Sequence, residues 1–360
     1  MAVKGTSLPT TLLDVSSPIY YDDSEYDAVQ NQKLFNSMHV VTMIIYSIAF
    51  VLGVTGNGLV IFITGFRMKR TVNTIWFLNL AVADFIFTFF LPFSVAYTAL
   101  GFHWPFGRAL CKINSTLAFL NLYASVYLLM VISIDRCISV MRPVWAQNHR
   151  TPHLAFLVAL GVWVMALALC SPNLYFRDTA PSPLNNNITN CYNNFDTAGE
   201  GATDQQRLKR INTNHRAMII SRFILGFLIP FTVIVCCYGA ILVKLRRNQL
   251  ARTGKPFKVI AAVIIAFFLC WLPYHIFSFL EMNRTPGMDT ALIIGLPLTA
   301  SLAFINSCLN PILYVFMGQD FKEKLRRSLF SAFESAFSEE AASTTANTKS
   351  KSTDMDSQVF

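Results

Sequence analysis

The chain has 360 residues, of which 54% are hydrophobic and only 14% charged, with a mean hydropathy of +0.46. A soluble domain has roughly a quarter of its residues charged, so this chain has too little polar surface to coat itself and lipid must cover much of it. Its net charge of +9 does not point to nucleic acid, because acids gather at the N-terminus (Asp14, Asp22, Asp23, Glu25, Asp27) and bases in short stretches between apolar runs, which is the pattern of a chain oriented across a bilayer.

Residues 1–38 form an acidic tail in which Tyr20, Tyr21 and Tyr26 stand among Asp22, Asp23, Glu25 and Asp27. Tyrosines in that setting suit sulfation and the capture of a basic ligand surface; a plain solvated acidic tail reads equally well. The opening MAVKGTSLPTTLLDVSS has no continuous apolar core, so no cleavable signal peptide is expected and the first span is expected to act as its own insertion signal.

Residues 39–316 contain seven apolar segments at 39–66, 74–101, 111–140, 153–173, 217–243, 259–279 and 291–316, each near the about 20 residues a spanning helix needs. The connections after segments one, three and five, and the stretch after seven, are basic: Arg67, Lys69 and Arg70; Arg142 and Arg150; Lys244 to Lys258; Lys322 to Arg327. The positive-inside rule makes that side cytoplasmic and puts the N-terminus outside. Residues 317–330 set Phe321, Leu325 and Leu329 at helical spacing between basic residues, as in an amphipathic helix on the inner leaflet. Residues 331–360 are rich in Ser and Thr, a composition predicted to be disordered. The predicted fold is an all-α membrane protein, a seven-transmembrane helix bundle with a short amphipathic eighth helix. The eight cysteines show no zinc spacing. No internal repeat suggests a transporter, and no nucleophile–base set suggests an enzyme.

Polar groups at membrane depth each need a reason. Asp84 sits midway along segment two, and its expected partners come in pairs four apart: Asn121 with Ser125, and Asn306 with Asn310. A carboxylate ringed by amide and hydroxyl oxygens offers a hard-cation site of sodium size; a hydrogen-bonded network without an ion is the other reading. Asn57 is placed in the same network. At the end of segment three, Asp135 and Arg136 are adjacent opposite charges, readable as a local ion pair that opens in another state or as a simple interfacial anchor. Pro230, Pro273 and Pro311 kink segments five, six and seven. Trp271 and Phe267 lie one turn apart just before Pro273, which alone is ordinary core packing.

Taken in order, Asn57 in GNGLV, Asp84 in LAVAD, Asp135-Arg136-Cys137, Trp163, Pro230 with Tyr238, Cys270-Trp271-Leu272-Pro273 and Asn310-Pro311-Ile312-Leu313-Tyr314 supply one motif set per segment. The chain thereby resembles the rhodopsin-like (class A) G-protein-coupled receptors over about residues 40–330. WFLNLAVADFIF, FHWPFG, VISIDRCISV, SPNLYFRDT and NPILYVFMGQDF are similar to the chemoattractant group, closest to chemerin (chemokine-like) receptors and related to formyl-peptide receptors. The resemblance implies a disulfide between Cys111 and Cys191. It implies an activation switch of Asp135, Arg136, Tyr238, Phe267, Trp271, Pro273, Asn310, Pro311 and Tyr314. Its partners would be an extracellular peptide or small protein (chemerin-like), a heterotrimeric G protein of the inhibitory type, and arrestin with receptor kinases. The alternative within the same fold is an atypical scavenging receptor that binds ligand without G-protein signalling.

Arg222 lies about five residues inside the outer edge of segment five, roughly 7–8 Å down at helical rise. A guanidinium facing the bundle there suits a carboxylate such as a peptide C-terminus; snorkelling or pairing with a protein acid such as Glu281 is the other reading. In formyl-peptide receptors an acid holds the formyl-methionine end. Here Phe119 stands at that place and Met218 replaces a second Arg, which argues against that specificity. The expected ligand-binding residues are Arg222, Glu281, Asn114, Phe119, Trp271 and Tyr274. Asn187-Ile188-Thr189 is the expected glycosylation site.

Overall fold

The structure is a computed structural model that describes residues 25–182, 185–197, 202–247, 255–285, 287–317 and 323. The predicted sulfation sites Tyr20 and Tyr21, the Tyr26 and Tyr314 side chains, the amphipathic stretch 317–330 beyond Met317, Glu323 apart, and the tail 331–360 lie outside the described residues.

Helix α1 (Glu25–Phe62) runs into a π-helical turn (Ile63–Arg67), and together they make the first span. The second span is α2 (Val72–Phe89) followed by α3 (Leu91–Ala99). Pro92 sits in the first turn of α3, where a missing N–H costs little, and the ladder breaks at Phe90 just before it. Helix α4 (Gly107–Met141) is the third span, α5 (Pro143–His149) a short helix on the connection, and α6 (Pro152–Phe176) the fourth span. A β-hairpin follows, with β1 (Arg177–Pro181) antiparallel to β2 (Thr189–Asn193) and Thr179 opposite Cys191. The fifth span is α7 (Asp204–Phe223), a second π-helical turn (Ile224–Leu228) and α8 (Ile229–Arg247); α9 (Lys255–Met282) and α10 (Asp289–Met317) are the sixth and seventh. Seven helical segments are thus long and apolar enough to cross a membrane.

Two helices extend past their predicted outer ends. Helix α1 begins at Glu25 and α7 at Asp204, because an apolar window finds the lipid-embedded part and not a helix that continues into water. Thr203 and Gln206 cap α7 reciprocally, each side chain meeting the other's backbone N–H, which starts a helix without apolar support. The hairpin was not predicted either. RDTAP and TNCYN lack the apolar alternation that marks a strand.

Helix α4 is the hub of the bundle. Its apolar window is 78% buried, against 28% for spans one, four and five, so the polar groups it carries face protein on nearly every side. The outer spans turn Ile44, Phe156, Leu160, Val164 and Leu269 outward, toward lipid in a chain of this kind. Close approach is bought at small residues: an added Cβ on Gly53 of α1 would lie 2.4 Å from Thr88 Cγ2 of α2. Thr88 is fully buried, β-branched and hydrogen-bonded to the Asp84 carbonyl, so it has no room to yield. Gly53→Ala is expected to destabilise the purified protein by about 1–3 kcal/mol, seen as a lower Tm, with Thr88→Ala restoring part of the loss. An unchanged Tm for the single variant would show that α1 and α2 do not meet here.

Candidate functional site

The end of the bundle that carries the hairpin holds an open cavity of about 40 Å³, bounded by His39 of α1, Tyr97 of α3, Asn114 of α4, Arg177 of β1 and Pro297 of α10. The hairpin forms its roof. Cys191 of β2 is joined to Cys111 of α4 by a disulfide, as the resemblance implied, and Trp104 N–H donates to the Thr189 carbonyl at 2.8 Å. Buried Arg177 donates to the Cys191 carbonyl at 2.7 Å. At the rim Arg108 grips Asp178 with both oxygens, at 2.6 and 3.0 Å. Partial burial works against ionisation of Asp178, but the Arg108 guanidinium and the Thr179 N–H outweigh it and hold the carboxyl below its usual range. Asn187 is exposed at the hairpin turn, and Asn114 is engaged with Ser94 at 3.1 Å. Of the expected ligand residues, only Asn114 lines this cavity.

Arg222 lies elsewhere, at the junction of α4, α6, α7 and α9. A π-type bond from Ile229 N–H to Ile224 carbonyl spans the turn just after it. Pro230 has no N–H to offer the Gly226 carbonyl, and the ladder reorganises there. Arg222 is 3% exposed. Its guanidinium donates to Tyr274 Oη at 2.5 Å and Asn173 Oδ1 at 3.2 Å, and its Cζ stands 3.7 Å from the centre of the Phe119 ring. Among the described residues no carboxylate pairs with it. It therefore does not snorkel. Glu281 is buried in the last turn of α9 and is not among the Arg222 contacts. From Tyr274 an aromatic run continues inward: Trp271 at 5.7 Å and then Phe267 at 6.0 Å, centre to centre. Trp271 and Phe267 lie below Pro273, as predicted, and Tyr274 links them to the guanidinium.

Midway down, Asp84 is fully buried. Asn310 donates to Asp84 Oδ2 at 2.7 Å; with its amide turned to suit its surroundings, Asn121 donates to Oδ1 at 3.1 Å and lies 3.3 Å from Ser125. Four of the five predicted residues thus come together. Asn306 does not join by any hydrogen bond among the described residues; Ser307 takes its place, its hydroxyl donating to the turned Asn121 oxygen at 2.8 Å. The sequence reading favoured a spacing of four, but residues three apart share a helix face equally well. Asn57 is indeed attached, donating to the Ser307 carbonyl at 2.9 Å. The side-chain oxygens of Asn57, Asn306 and Asn310 are buried acceptors without a partner among the described residues.

At the opposite end of the bundle, of the two readings of Asp135 and Arg136, a local ion pair or an anchor, the local pair is not formed. Asp135 takes both bonds of Arg150, at 2.7 and 2.9 Å, while Arg136 donates to Asn73 Oδ1, which also accepts from Arg150 at 2.6 Å. Consecutive helix residues point about 100° apart and do not face each other, so each charge finds a partner on another element. Arg150 was visible only as a basic loop residue and Asn73 not at all. Tyr238 stands near Arg136. Val144 on α5 is 72% exposed at this end.

Residues 56–314 match the family model for the 7 transmembrane receptor (rhodopsin family). Chemerin-like receptor 1 of Homo sapiens is 49% identical over 305 residues, covering 84% of this chain and 81% of that protein; its Rattus norvegicus counterpart is 51% identical over the same shares. N-formyl peptide receptor 2 of Homo sapiens is 43% identical over 327 residues, 89% of this chain and 92% of that protein. The chain therefore belongs to the rhodopsin family of seven-transmembrane receptors, in its chemoattractant group, and is a multi-pass plasma-membrane receptor and not an enzyme.

Proposed function

We propose that this receptor binds the C-terminal carboxylate of an extracellular peptide or small protein, chemerin-like, and relays the event to an inhibitory-type heterotrimeric G protein. One observation carries the ligand half: Arg222 is a buried cation with no carboxylate paired to it among the described residues. An uncompensated buried charge is costly, and a π face with two neutral oxygens offsets only part of that cost. An arriving carboxylate completes the set with charge-assisted bonds. The relatives named for chemerin and formyl peptides support a peptidic ligand, entering through the outer cavity with the N-terminus and hairpin outside. The run Tyr274–Trp271–Phe267 supports a path from Arg222 to the Pro273 kink. Exposed Val144 and the Arg136–Tyr238 pair support a transducer at the inner end, with receptor kinases acting on the tail and arrestin following.

The oxygen set around Asp84 fits a hard monovalent cation: a carboxylate, hydroxyls of Ser125 and Ser307, and the unpartnered Asn310 oxygen. We propose sodium as its resident. It would neutralise the carboxylate and favour the state in which α2, α4 and α10 stay gathered round it.

Three measurements test these readings. In cells expressing the receptor, a C-terminal chemerin peptide is expected to inhibit forskolin-raised cyclic AMP in a pertussis-toxin-sensitive way. Its carboxamide form is expected to be about 10- to 100-fold weaker, the range for losing one charged hydrogen bond; Arg222→Gln at equal surface level should respond equally to both forms. Equal potencies on the native receptor would sink the carboxylate site. Raising sodium is expected to lower agonist affinity by about five-fold or more, and Asp84→Asn to abolish that dependence; a sodium effect that survives the substitution would exclude the site. Arg150→Ala is expected to raise basal signalling severalfold, since a partly exposed pair is worth about 1 kcal/mol, and Arg150→Lys to raise it less. No basal change would mean that Arg150 does not restrain the inner end.

A further inference from the structure

Three groups hold the Arg222 guanidinium: the Tyr274 phenol at 2.5 Å, the Asn173 amide oxygen at 3.2 Å, and the Phe119 ring, whose centre lies 3.7 Å from Cζ. None of them brings a carboxylate. Asn173 differs from the other two in one respect, because aspartate has its shape and would carry a negative charge. It is buried in the last turn of α6, and its amide is held at both ends. Asn173 Nδ2 donates to the Cys170 carbonyl at 3.2 Å, so the oxygen is the end left for the guanidinium, which has donors only. The Arg177 N–H closes the helix on the Asn173 carbonyl. Pro172 just before it has no N–H for the Ala168 carbonyl, and the Ser171 hydroxyl donates to that carbonyl at 2.7 Å instead. Lys112 of α4 donates to the Leu174 carbonyl at 2.8 Å, which pins this end of α6 to the helix that carries Phe119.

We propose that Asn173 determines the ligand class of this site: it fixes the Arg222 guanidinium with an uncharged oxygen, which leaves the cation to a ligand that ends in a carboxylate. The inference rests on the carboxylate reading of Arg222 given above and names the residue that makes the site selective. Specificity is a difference of affinities. A carboxylate gains a charge-assisted, two-bond contact with a buried guanidinium, and the matching carboxamide gains neither the charge nor the second acceptor. That difference exists only while the protein supplies no anion of its own. An aspartate at the Asn173 position would supply one at the same distance. The incoming carboxylate would then meet a cation already paired and a like charge beside it, and the two ligand forms would bind alike. Alanine there removes the amide bond but adds no charge, so the cation still awaits the ligand and the preference stays. Charge and positioning thus make opposite forecasts for the two substitutions.

The test titrates an N-terminally labelled C-terminal chemerin peptide, as carboxylate and as carboxamide, on membranes carrying the full chain. The native receptor is expected to prefer the carboxylate by about 10- to 100-fold. Asn173→Asp is expected to bind both forms within threefold of each other, at the native affinity for the carboxamide. Asn173→Ala is expected to keep a preference of at least tenfold. In parallel the Tm of each purified variant is read without ligand. Both substitutions lose the bond to the Cys170 carbonyl, and only aspartate gains a pair with Arg222, so Asn173→Asp is expected to melt higher than Asn173→Ala. A native preference near one would end the carboxylate reading and this inference with it. A native preference that Asn173→Asp leaves unchanged overturns the inference alone and spares Arg222. Loss of the preference in Asn173→Ala as well makes Asn173 a support and not a selector, which also overturns it. If the native receptor binds neither form, the peptidic reading fails and the Tm decides the pairing. An Asn173→Asp receptor that melts no higher than Asn173→Ala, or is absent from the membrane, has an unpaired carboxylate and overturns the inference.

Discussion

A carboxylate with no exposed surface, set inside an apolar bundle, constrains everything around it. Asp84 is too costly to bury unless each oxygen is met, and the groups that meet it come from other helices: Asn121 of α4, itself held by Ser307 of α10, and Asn310 of α10. Asn57 of α1 is fastened to the Ser307 carbonyl in turn. Four of the seven spans therefore meet at one polar node. Their relative rotations follow from it, since a shift of one residue on any of the helices would swing its partner about 100° away. The tight contact at Gly53 and Thr88 lies on the same α1–α2 seam, and Thr88 hangs from the Asp84 carbonyl. Close packing and polar satisfaction reinforce each other at this level of the bundle.

The outer and inner ends use other devices. Toward the hairpin end, Arg222 is buried with no counter-charge among the described residues and leans on a ring, a phenol and an amide. At the opposite end, Asp135 and Arg150 form a two-bond pair, and Arg150 shares Asn73 with Arg136. Among the described residues the first arrangement lacks an anion, while in the second Asp135 has both its oxygens met by Arg150. This difference follows from what each charge has around it.

The seven spans were legible because a bilayer demands long apolar runs, and the motif residues were legible because a polar group at membrane depth has few innocent explanations. Asp84, Asn121, Ser125 and Asn310 were found on that reasoning and do converge. Its failures have one cause, which is that sequence spacing describes faces of a single helix. It could not choose Ser307 over Asn306, since both lie on the proper side of α10. It paired Asp135 with its neighbour, although Arg150 lies across a loop. It left Arg222 with a choice between lipid and protein that only α6 and α9 could settle, through Asn173 and Tyr274. The hairpin was illegible because its strands are held by a disulfide and by contacts to Trp104 and His103, and neither leaves an alternating pattern.

The three polar centres share a property that bears on how such a bundle moves. Every strong contact they make crosses from one helix or loop to another: α7 to α9 and α6 for Arg222, α2 to α4 and α10 for Asp84, α4 to α2 and to the connection before α6 for Asp135 and Arg136. A helix pair can slide against apolar neighbours with small, graded losses, because dispersion contacts are many and weak. It cannot do so against a buried charge, whose bonds are either made or lost. Motion at any centre therefore exchanges one set of partners for another, which makes the bundle a body with a few discrete arrangements. A ligand acts on such a body only through its different affinity for each arrangement. The carboxylate proposed for Arg222 would change what Tyr274 must do, and with it the ring stack above Phe267. It would thereby couple the Arg222 site to helix α9, whose kink at Pro273 lies beside the stack.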